Sequence, residues 1–245
     1  MYSEIYNFCK VKNLGNTYKN SESPPPRVDF LMNLLKKEKI KFELDHFKSK
    51  SINCFNLILK GDSKKMVTAH HDIVNPYTDN ANDNSASVIN AIALKKMKPE
   101  INVVLLDGEE VGGLGSQRLS TQINNGFFGE IDWVLNLELS GRGGENFFIG
   151  NYPGDLFNHI KSIFNCPHYD TPYNDSVTLR NNGIDSVVIN PLPILKEGKS
   201  SINYKGNYLD HSILYNCHTE KDTLKEIRTS DMKDFVEKVL LKIVD

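Results

Sequence analysis

The sequence of 245 residues is poor in cysteine, has no long apolar run and carries no large excess of either charge. Its four cysteines are scattered without a C-x-x-C pair, so we expect reduced thiols and neither a zinc ribbon nor a redox dithiol. No apolar segment approaches the roughly 18–20 residues that cross a bilayer, and we expect no membrane partner. The net charge of −2 offers no general attraction to phosphate backbones, which argues against a nucleic-acid partner.

Two further absences bear on location and mechanism. The amino-terminal residues have neither the basic start nor the apolar stretch of a secretory signal, so we expect a cytoplasmic protein. The sequence also lacks a Gly-x-Ser-x-Gly motif, which argues against a serine hydrolase of the α/β type.

Short apolar runs alternate along the chain with segments whose apolar residues recur at helical spacing. The runs predict strands at 42–44, 54–59, 66–69, 101–106, 133–137 and 186–189. The helical spacing predicts helices starting at residue 28 and spanning 85–96, 114–123, 156–164 and 230–244. This alternation is typical of a three-layer, doubly wound α/β fold with a mixed, mostly parallel sheet and helices on both faces. We expect one domain over residues 1–245, in which 1–27 form an N-terminal segment and a proline-rich loop.

Polar side chains stand directly after three of the predicted strands, where open α/β sheets bind their ligands. They are His70 and Asp72 after one strand, Glu109 and Glu110 after the next, and Glu138 after the third. Asp83 stands at a predicted helix start, and His218 lies in a loop before the last helix. Each alone has a purely structural explanation, such as a helix cap, a hydrogen-bonded pair or a solvated charge. Together they are expected to meet at one crevice.

Imidazole nitrogens and carboxylate oxygens form a ligand set for a divalent ion such as zinc. A catalytic zinc takes three protein ligands and keeps one open position, so two histidines and several carboxylates exceed the needs of one ion. They suit two ions that share a bridging carboxylate, with one carboxylate left over as a general base.

Five ordered motifs resemble those of the co-catalytic zinc aminopeptidases, a family that also contains glutamate carboxypeptidase and the glutaminyl cyclases. The motifs are Ala69-His70-His71-Asp72, Ala81-Asn82-Asp83-Asn84-Ser85-Ala86-Ser87, Asp107-Gly108-Glu109-Glu110-Val111-Gly112-Gly113-Leu114-Gly115-Ser116, Asn136-Leu137-Glu138 and His218-Thr219-Glu220-Lys221-Asp222-Thr223. The resemblance spans about residues 64–245. It implies a single catalytic domain with the zinc-peptidase, phosphorylase/hydrolase-like form of the α/β fold.

The resemblance also implies a role for each motif residue. It assigns His70 and Glu138 to one zinc ion, Glu110 and His218 to the other, and Asp83 to a bridge between them. Asp72 would orient His70, and Glu109 would be the general base that takes a proton from a metal-bridging water and passes it to the leaving amine.

Three positions remain less defined by the resemblance. Asn174-Asp175-Ser176 is similar to a family segment before the last strand, and we expect Asp175 near the substrate pocket. His71 stands where tyrosine is more common in the family. We expect it either to line the substrate pocket or to face solvent beside His70. Glu138 stands where the aminopeptidases usually have aspartate, which changes the reach toward the metal and the space for a substrate amine.

These features predict a zinc-dependent exopeptidase, in first place an aminopeptidase that acts on small peptides. One alternative is a glutaminyl cyclase-like aminoacyltransferase with a single zinc on Asp83, Glu110 and His218, in which Glu109 moves the proton. A carboxypeptidase or another amidohydrolase on the same site is a further alternative. An inactive binding domain ranks last, because every ligand type is present.

Overall fold

A computed structural model describes residues 1–12, 21–49, 51–74, 76–195, 201–202 and 208–245. The strands are β1 (Glu43–Ser49), β2 (Ile52–Leu59), β3 (Lys65–His70), β4 (Asn102–Leu106), β5 (Trp133–Leu137), β6 (Phe147–Gly150), β7 (His168–Tyr169), β8 (Ser186–Pro191), β9 (Ser201–Ile202) and β10 (Tyr208–Leu209). The α-helices are α1 (Ile5–Phe8), α2 (Pro26–Lys37), α3 (Ala86–Met97), α4 (Leu114–Asn124), α5 (Asp155–Ile163), α6 (Asp175–Asn181), α7 (Thr229–Phe235) and α8 (Leu241–Val244). A wide turn, Val236–Leu240, joins α7 to α8.

Eight strands form one mixed sheet in the order β1-β2-β4-β3-β5-β8-β6-β7. Its centre is parallel, since β3 pairs in parallel with β4 and β5, and β5 pairs in parallel with β8. One edge is antiparallel, because β2 runs against β4 and β1 runs against β2. The mixed, mostly parallel sheet and its antiparallel edge within residues 42–59 confirm the predicted fold class.

Both faces of the sheet are covered, because alternate residues of a buried strand belong to two different hydrophobic cores. In β4, Val103 and Leu105 belong to the larger core with residues of α2, α3 and α7. Val104 and Leu106 of the same strand belong to a second core with Leu119 of α4 and Leu179 of α6. The predicted three-layer arrangement is therefore present.

The observed elements differ from the predicted ones where they are short. Strands β6 and β7 and helix α6 have four, two and seven residues, so they carry too little periodicity to be recognised in the sequence. Helix α2 begins at Pro26, two residues before the first predicted position, because proline is tolerated at the first helical turn, where its missing N–H has no partner to lose.

All four cysteines are free thiols, three of them buried, as the scattered positions predict. Among the helices described, none combines the length and the apolar character that spanning a membrane requires.

Candidate metal centre

The candidate site lies beyond the carboxyl ends of the central parallel strands. His70, the last residue of β3, pairs in register with Leu106 at the end of β4, so the segments that follow both strands leave the sheet at the same level. Strand β5 ends at Leu137 on the other side of β3, which places Glu138 beside them. The parallel topology thus brings the polar ends of three strands to one edge, as expected for this fold.

One group of donors surrounds the imidazole of His70. Its Nε2 lies 3.3 Å from Oδ1 of Asp83 and 3.4 Å from Oε2 of Glu138. All three side chains are buried. A second group surrounds the imidazole of His218, whose Nε2 lies 3.1 Å from Oδ2 of Asp83 and 3.1 Å from Oε2 of Glu110.

Asp83 belongs to both groups, and its two oxygens face different histidines. Within each group the donor atoms lie within 4.8 Å of one another. Ligands about 2.0–2.2 Å from a tetrahedral zinc ion lie roughly 3.3–3.6 Å from each other, close to the 3.1–3.4 Å between the donor atoms of these two groups. The donor set and its spacing therefore fit two divalent ions that share the Asp83 carboxylate.

The electrostatics of the cluster also fit a bound cation. Burial raises the pKa of Glu109 to about 9, and Glu138 and Asp175 add to that rise. Burial likewise raises the pKa of Glu110 to about 8, reinforced by Asp83. Carboxylates that repel one another in a buried site are stabilised by a divalent ion, whose charge reverses the local effect on their pKa values.

The two imidazoles respond to the same carboxylates. Burial lowers the pKa of His70, but Glu138, Asp72 and Asp83 outweigh it, and the pKa lies well above its usual value. A hydrogen bond to Asp83 and the charge of Glu110 raise the pKa of His218 to about 9, against the opposing effect of burial. The carboxylates of the cluster thus create a strong negative potential at both imidazole rings.

Asp72 connects the first histidine to the acidic segment after β4. Its Oδ1 lies 3.4 Å from Nδ1 of His70 and accepts a hydrogen bond from the backbone N–H of Glu109 at 3.2 Å. Its Oδ2 accepts from the backbone N–H of Glu110 at 3.1 Å. Asp72 thereby holds the two consecutive glutamates in place relative to His70, on the side of the imidazole away from the other donors.

Gly112 and Gly113 follow this acidic segment with φ values of 106° and 66°. This region of backbone space favours glycine, and it lets the chain turn sharply from Glu110 into α4. Glu109 itself is half-buried, lines the cavity and lies with His70 and Glu110 in a third close set of donor atoms.

The segment that carries Asp83 is fixed by its neighbours on both sides. The backbone N–H groups of Asn82 and Asp83 donate to the carboxylate of Asp222 at 2.7 and 3.0 Å. The side chain of Asn84 donates to the carbonyl of Leu137 and accepts from the N–H of Leu139, so it ties this segment to both sides of Glu138. Asp222 and Asn84 lie inside the motifs quoted from the sequence, but no role was predicted for them.

Glu138 is held from beneath by a chain of polar side chains. Nδ2 of Asn136 donates to Oε1 of Glu138 at 3.0 Å, and Thr68 Oγ1 donates to Oδ1 of Asn136 at 2.9 Å. One oxygen of Glu138 is thus engaged by the protein, and the other faces His70. The register between β3 and β5 makes this chain possible, because Thr68 and Asn136 are direct neighbours across the two strands.

A cavity of about 590 Å³ opens in front of the donors. Its lining includes Glu109, both histidines, and a wall of Phe148, Val188, Asn190 and Leu214. The described residues that line it include no lysine or arginine, and its carboxylates and imidazoles are those of the cluster. The side chain of His218 is about half-exposed, at 53%, and lies on the open side.

The loop from Thr171 to Asn174 also lines this cavity and was not expected from the sequence. Asp175, the next residue, is completely buried at the start of α6 and is not among the lining residues, although Val177 and Thr178 are. Burial raises the pKa of Asp175 to about 7. The structure thus brings seven of the predicted site residues together at the cluster and places Asp175 in the protein interior behind the cavity wall.

His71 has neither of the two surroundings considered for it. It is buried, and its Nε2 is 2.9 Å from the carbonyl oxygen of Phe55 in β2. Burial lowers its pKa to about 4, so the ring is neutral at physiological pH. His71 directly follows His70 at the end of β3, and successive side chains of a strand point in opposite directions. His71 is therefore buried against β2, whereas His70 faces the other donors.

The comparisons with known proteins agree with this geometry. The sequence model of the protein family described as "Peptidase family M28" matches residues 56–243. No curated protein sequence matches the chain significantly.

Similar solved structures include aminopeptidases and glutaminyl cyclases of bacteria. The LapA aminopeptidase of Legionella pneumophila is 12% identical, with a TM-score of 0.67 over 100% of this chain and 70% of that one. The glutaminyl cyclase of an Acidobacteriales bacterium is 17% identical, with a TM-score of 0.70 over 99% and 92% of the two chains. BSAP, a zinc aminopeptidase from Bacillus subtilis, is 18% identical, with a TM-score of 0.57 over 79% and 49%. At these identities the likeness shows the shared fold.

Proposed function

Since the chain belongs to peptidase family M28, we propose that it is a zinc-dependent aminopeptidase that removes the first residue of small peptides. The observation that carries this proposal is the position of Asp83, whose two oxygens face two separate groups of donors. His70 and Glu138 would hold one zinc ion, Glu110 and His218 the second, and Asp83 both. When bound, the ions would polarise the scissile carbonyl and make water more acidic.

Glu109 is the general base in this proposal. It lines the cavity beside the donors, and its backbone is fixed by Asp72. With divalent ions bound, their charge would oppose the rise in its pKa, and the carboxylate could take a proton from water and deliver it to the leaving amine. No side chain of the protein has to act as a nucleophile. Asp72 would contribute by orienting the His70 ring, since its Oδ1 lies 3.4 Å from Nδ1.

The lining of the cavity supports recognition of a free amine rather than a free carboxylate. A peptide's amino terminus can donate a hydrogen bond to the carboxylate of Glu109, which is ionised when bound divalent ions oppose the rise in its pKa. A carboxypeptidase needs a cationic side chain for the terminal carboxylate of its substrate, and the described lining residues provide none. The apolar wall with Phe148 and Val188 suits an uncharged first side chain.

A glutaminyl cyclase-like activity is the second candidate, and one observation favours it. Asp83, Glu110 and His218 form a complete three-ligand group by themselves, which is the number a single catalytic zinc requires. In that reaction Glu109 would move a proton from the amino group of an amino-terminal glutamine to the leaving ammonia, as the nitrogen closes on the side-chain carbonyl.

One substrate panel separates these candidates. Amino-acid p-nitroanilides, dipeptides, their N-acetylated counterparts and amino-terminal glutaminyl peptides are assayed before chelation, after chelation and after zinc is returned. We expect hydrolysis of the free-amine substrates only, with loss on chelation and recovery with zinc. Cyclisation of the glutaminyl peptides without hydrolysis of the others would favour the second candidate. Cleavage of N-acetylated dipeptides would contradict amino-terminal recognition.

A further inference from the structure

Arg27 connects the metal-bearing segments to a part of the chain that the family match does not include. The match covers residues 56–243, whereas Arg27 is the second residue of α2. Arg27 has 0% of its surface exposed. A buried guanidinium is held only where its N–H groups find acceptors, so its partners identify what it organises.

Two of these partners belong to the segments that carry donors of the proposed metal centre. Nε of Arg27 donates to the carbonyl oxygen of His71 at 2.9 Å, directly after the ligand His70. Nη2 donates to Oγ of Ser85 at 2.9 Å, two residues after the ligand Asp83. One side chain therefore fixes the separation between two of the three segments that carry the first group of donors.

The two residues that accept these bonds are themselves hydrogen-bonded to backbone groups nearby. The N–H of His71 donates to the carbonyl of Leu106 at 2.8 Å, so both backbone polar groups of His71 are hydrogen-bonded. Oγ of Ser85 donates to the carbonyl of Asn80 at 2.7 Å, which closes the loop that contains Asp83. A displacement of the guanidinium would thus be transmitted to the segments carrying the metal ligands.

The remaining contacts reach the N-terminal segment. Nη1 donates to the carbonyl of Val11 at 3.2 Å and to that of Phe8 at 3.5 Å. The guanidinium carbon lies 3.9 Å above the ring of Phe8, which is itself buried in the core. Residues 8–11 therefore cover the face of Arg27 opposite the metal-bearing segments.

We propose that Arg27 is a positioning residue of the metal centre, and that residues 8–11 complete this centre by holding its guanidinium in place. The inference rests on the proposed zinc site. A planar guanidinium sends N–H groups toward three segments at once, whereas a lysine ammonium is a point charge and has no donor at the position of Nε. Outer partners of metal ligands contribute about 10–100-fold to metal affinity when they are removed.

The test compares Arg27→Lys and Arg27→Gln with Val28→Ala, a buried neighbour in the same helix that shortens an apolar side chain. Zinc affinity is measured by competition with a chromogenic chelator, thermal unfolding by circular dichroism, and kcat and KM on the best substrate of the panel above. We expect both Arg27 variants to bind zinc about 10-fold more weakly, with kcat reduced and KM little changed. Val28→Ala lowers the melting temperature and keeps the zinc affinity of the parent.

Zinc affinity at the parental value in Arg27→Lys would overturn the proposal, as would an equal loss in Val28→Ala. If neither Arg27 variant folds, Ser85→Ala decides, because it removes one acceptor of Arg27 together with the bond to Asn80 and leaves the arginine in place. We expect it to weaken zinc binding several-fold, and parental affinity would overturn the proposal. A protein that binds zinc normally but hydrolyses no substrate would instead count against the proposed function.

Discussion

The carboxylate of Asp222 accepts a hydrogen bond from the backbone N–H of Asp83, with 3.0 Å between Oδ2 and the nitrogen. Its other oxygen accepts from the N–H of Asn82 at 2.7 Å. Asp222 follows His218 in the same motif, so this contact joins the segments of two proposed zinc ligands that are far apart in sequence. Both N–H donors point at a buried carboxylate, and burial raises its pKa to about 6.

Replacement of Asp222 by asparagine is expected to disturb the bridge between the two proposed ions. One acceptor oxygen becomes an NH₂ group that faces an N–H donor, which costs about 1–3 kcal/mol in the free energy of unfolding. We expect zinc affinity to fall about 10–100-fold. Chelator competition and urea unfolding measure the two effects. Asp210→Asn is the control, because Asp210 accepts a similar N–H bond from Ser212 and belongs to neither group of donors; an equal loss of zinc there would contradict the explanation.

Glu109→Gln is expected to abolish the chemistry and keep the metal. The amide cannot accept a proton from water, and general-base catalysis contributes about 10²–10⁴-fold, so kcat should fall by that factor. Zinc content should stay at the parental level, because the proposed ligands are unchanged. Glu130→Gln, an exposed partner of Lys64, controls for the loss of a glutamate charge. Parental kcat in Glu109→Gln would remove Glu109 from the proposed mechanism.

The two histidines should control separate zinc ions. His70→Ala removes the imidazole from one group of donors and His218→Ala from the other, so each variant should retain about half of the parental zinc. Asp83→Ala, which removes the shared carboxylate, should lose most of both. Mass spectrometric metal analysis after dialysis gives the stoichiometry. A His70→Ala variant with the full parental content would show that only the His218 group holds zinc, as the cyclase alternative requires.

His71 should make stability depend on pH between about 6.5 and 4. Burial lowers its pKa from 6.5 to about 4 in the folded protein, so in this window the unfolded chain binds a proton that the folded chain does not. Stability therefore falls as the pH decreases through this range and levels off below it.

His71→Gln keeps a donor near the carbonyl of Phe55 and removes the titration. We expect its free energy of unfolding to vary less with pH, by up to about 1.4 kcal/mol per pH unit. Urea unfolding with EDTA present measures the slope without interference from metal loss. His168→Gln, at an exposed position of β7, should keep the parental slope. A parental slope in His71→Gln would show that the ring is not neutral when folded.

The candidate site was predictable from sequence to the extent that its residues follow regular elements. His70, Glu109 and Glu138 each stand at or just after a strand with a clear apolar run, and parallel strands place such positions at one edge of the sheet. Asp83 and His218 lacked that support and were assigned through the order of the motifs. The short elements that line the cavity, including the Thr171–Asn174 loop, left no periodic signal.

The sequence by itself determined the alternation of strands and helices, the sheet edge at which the polar residues meet, and the chemical types of the donors. Only the tertiary structure decided which oxygen of Asp83 faces which histidine, that Asp222 holds its backbone, and that Arg27 links the N-terminal segment to the same centre. The physical reason is the range of the interactions. Apolar periodicity is set by neighbouring residues, whereas hydrogen bonds between distant segments depend on how the helices and the sheet pack.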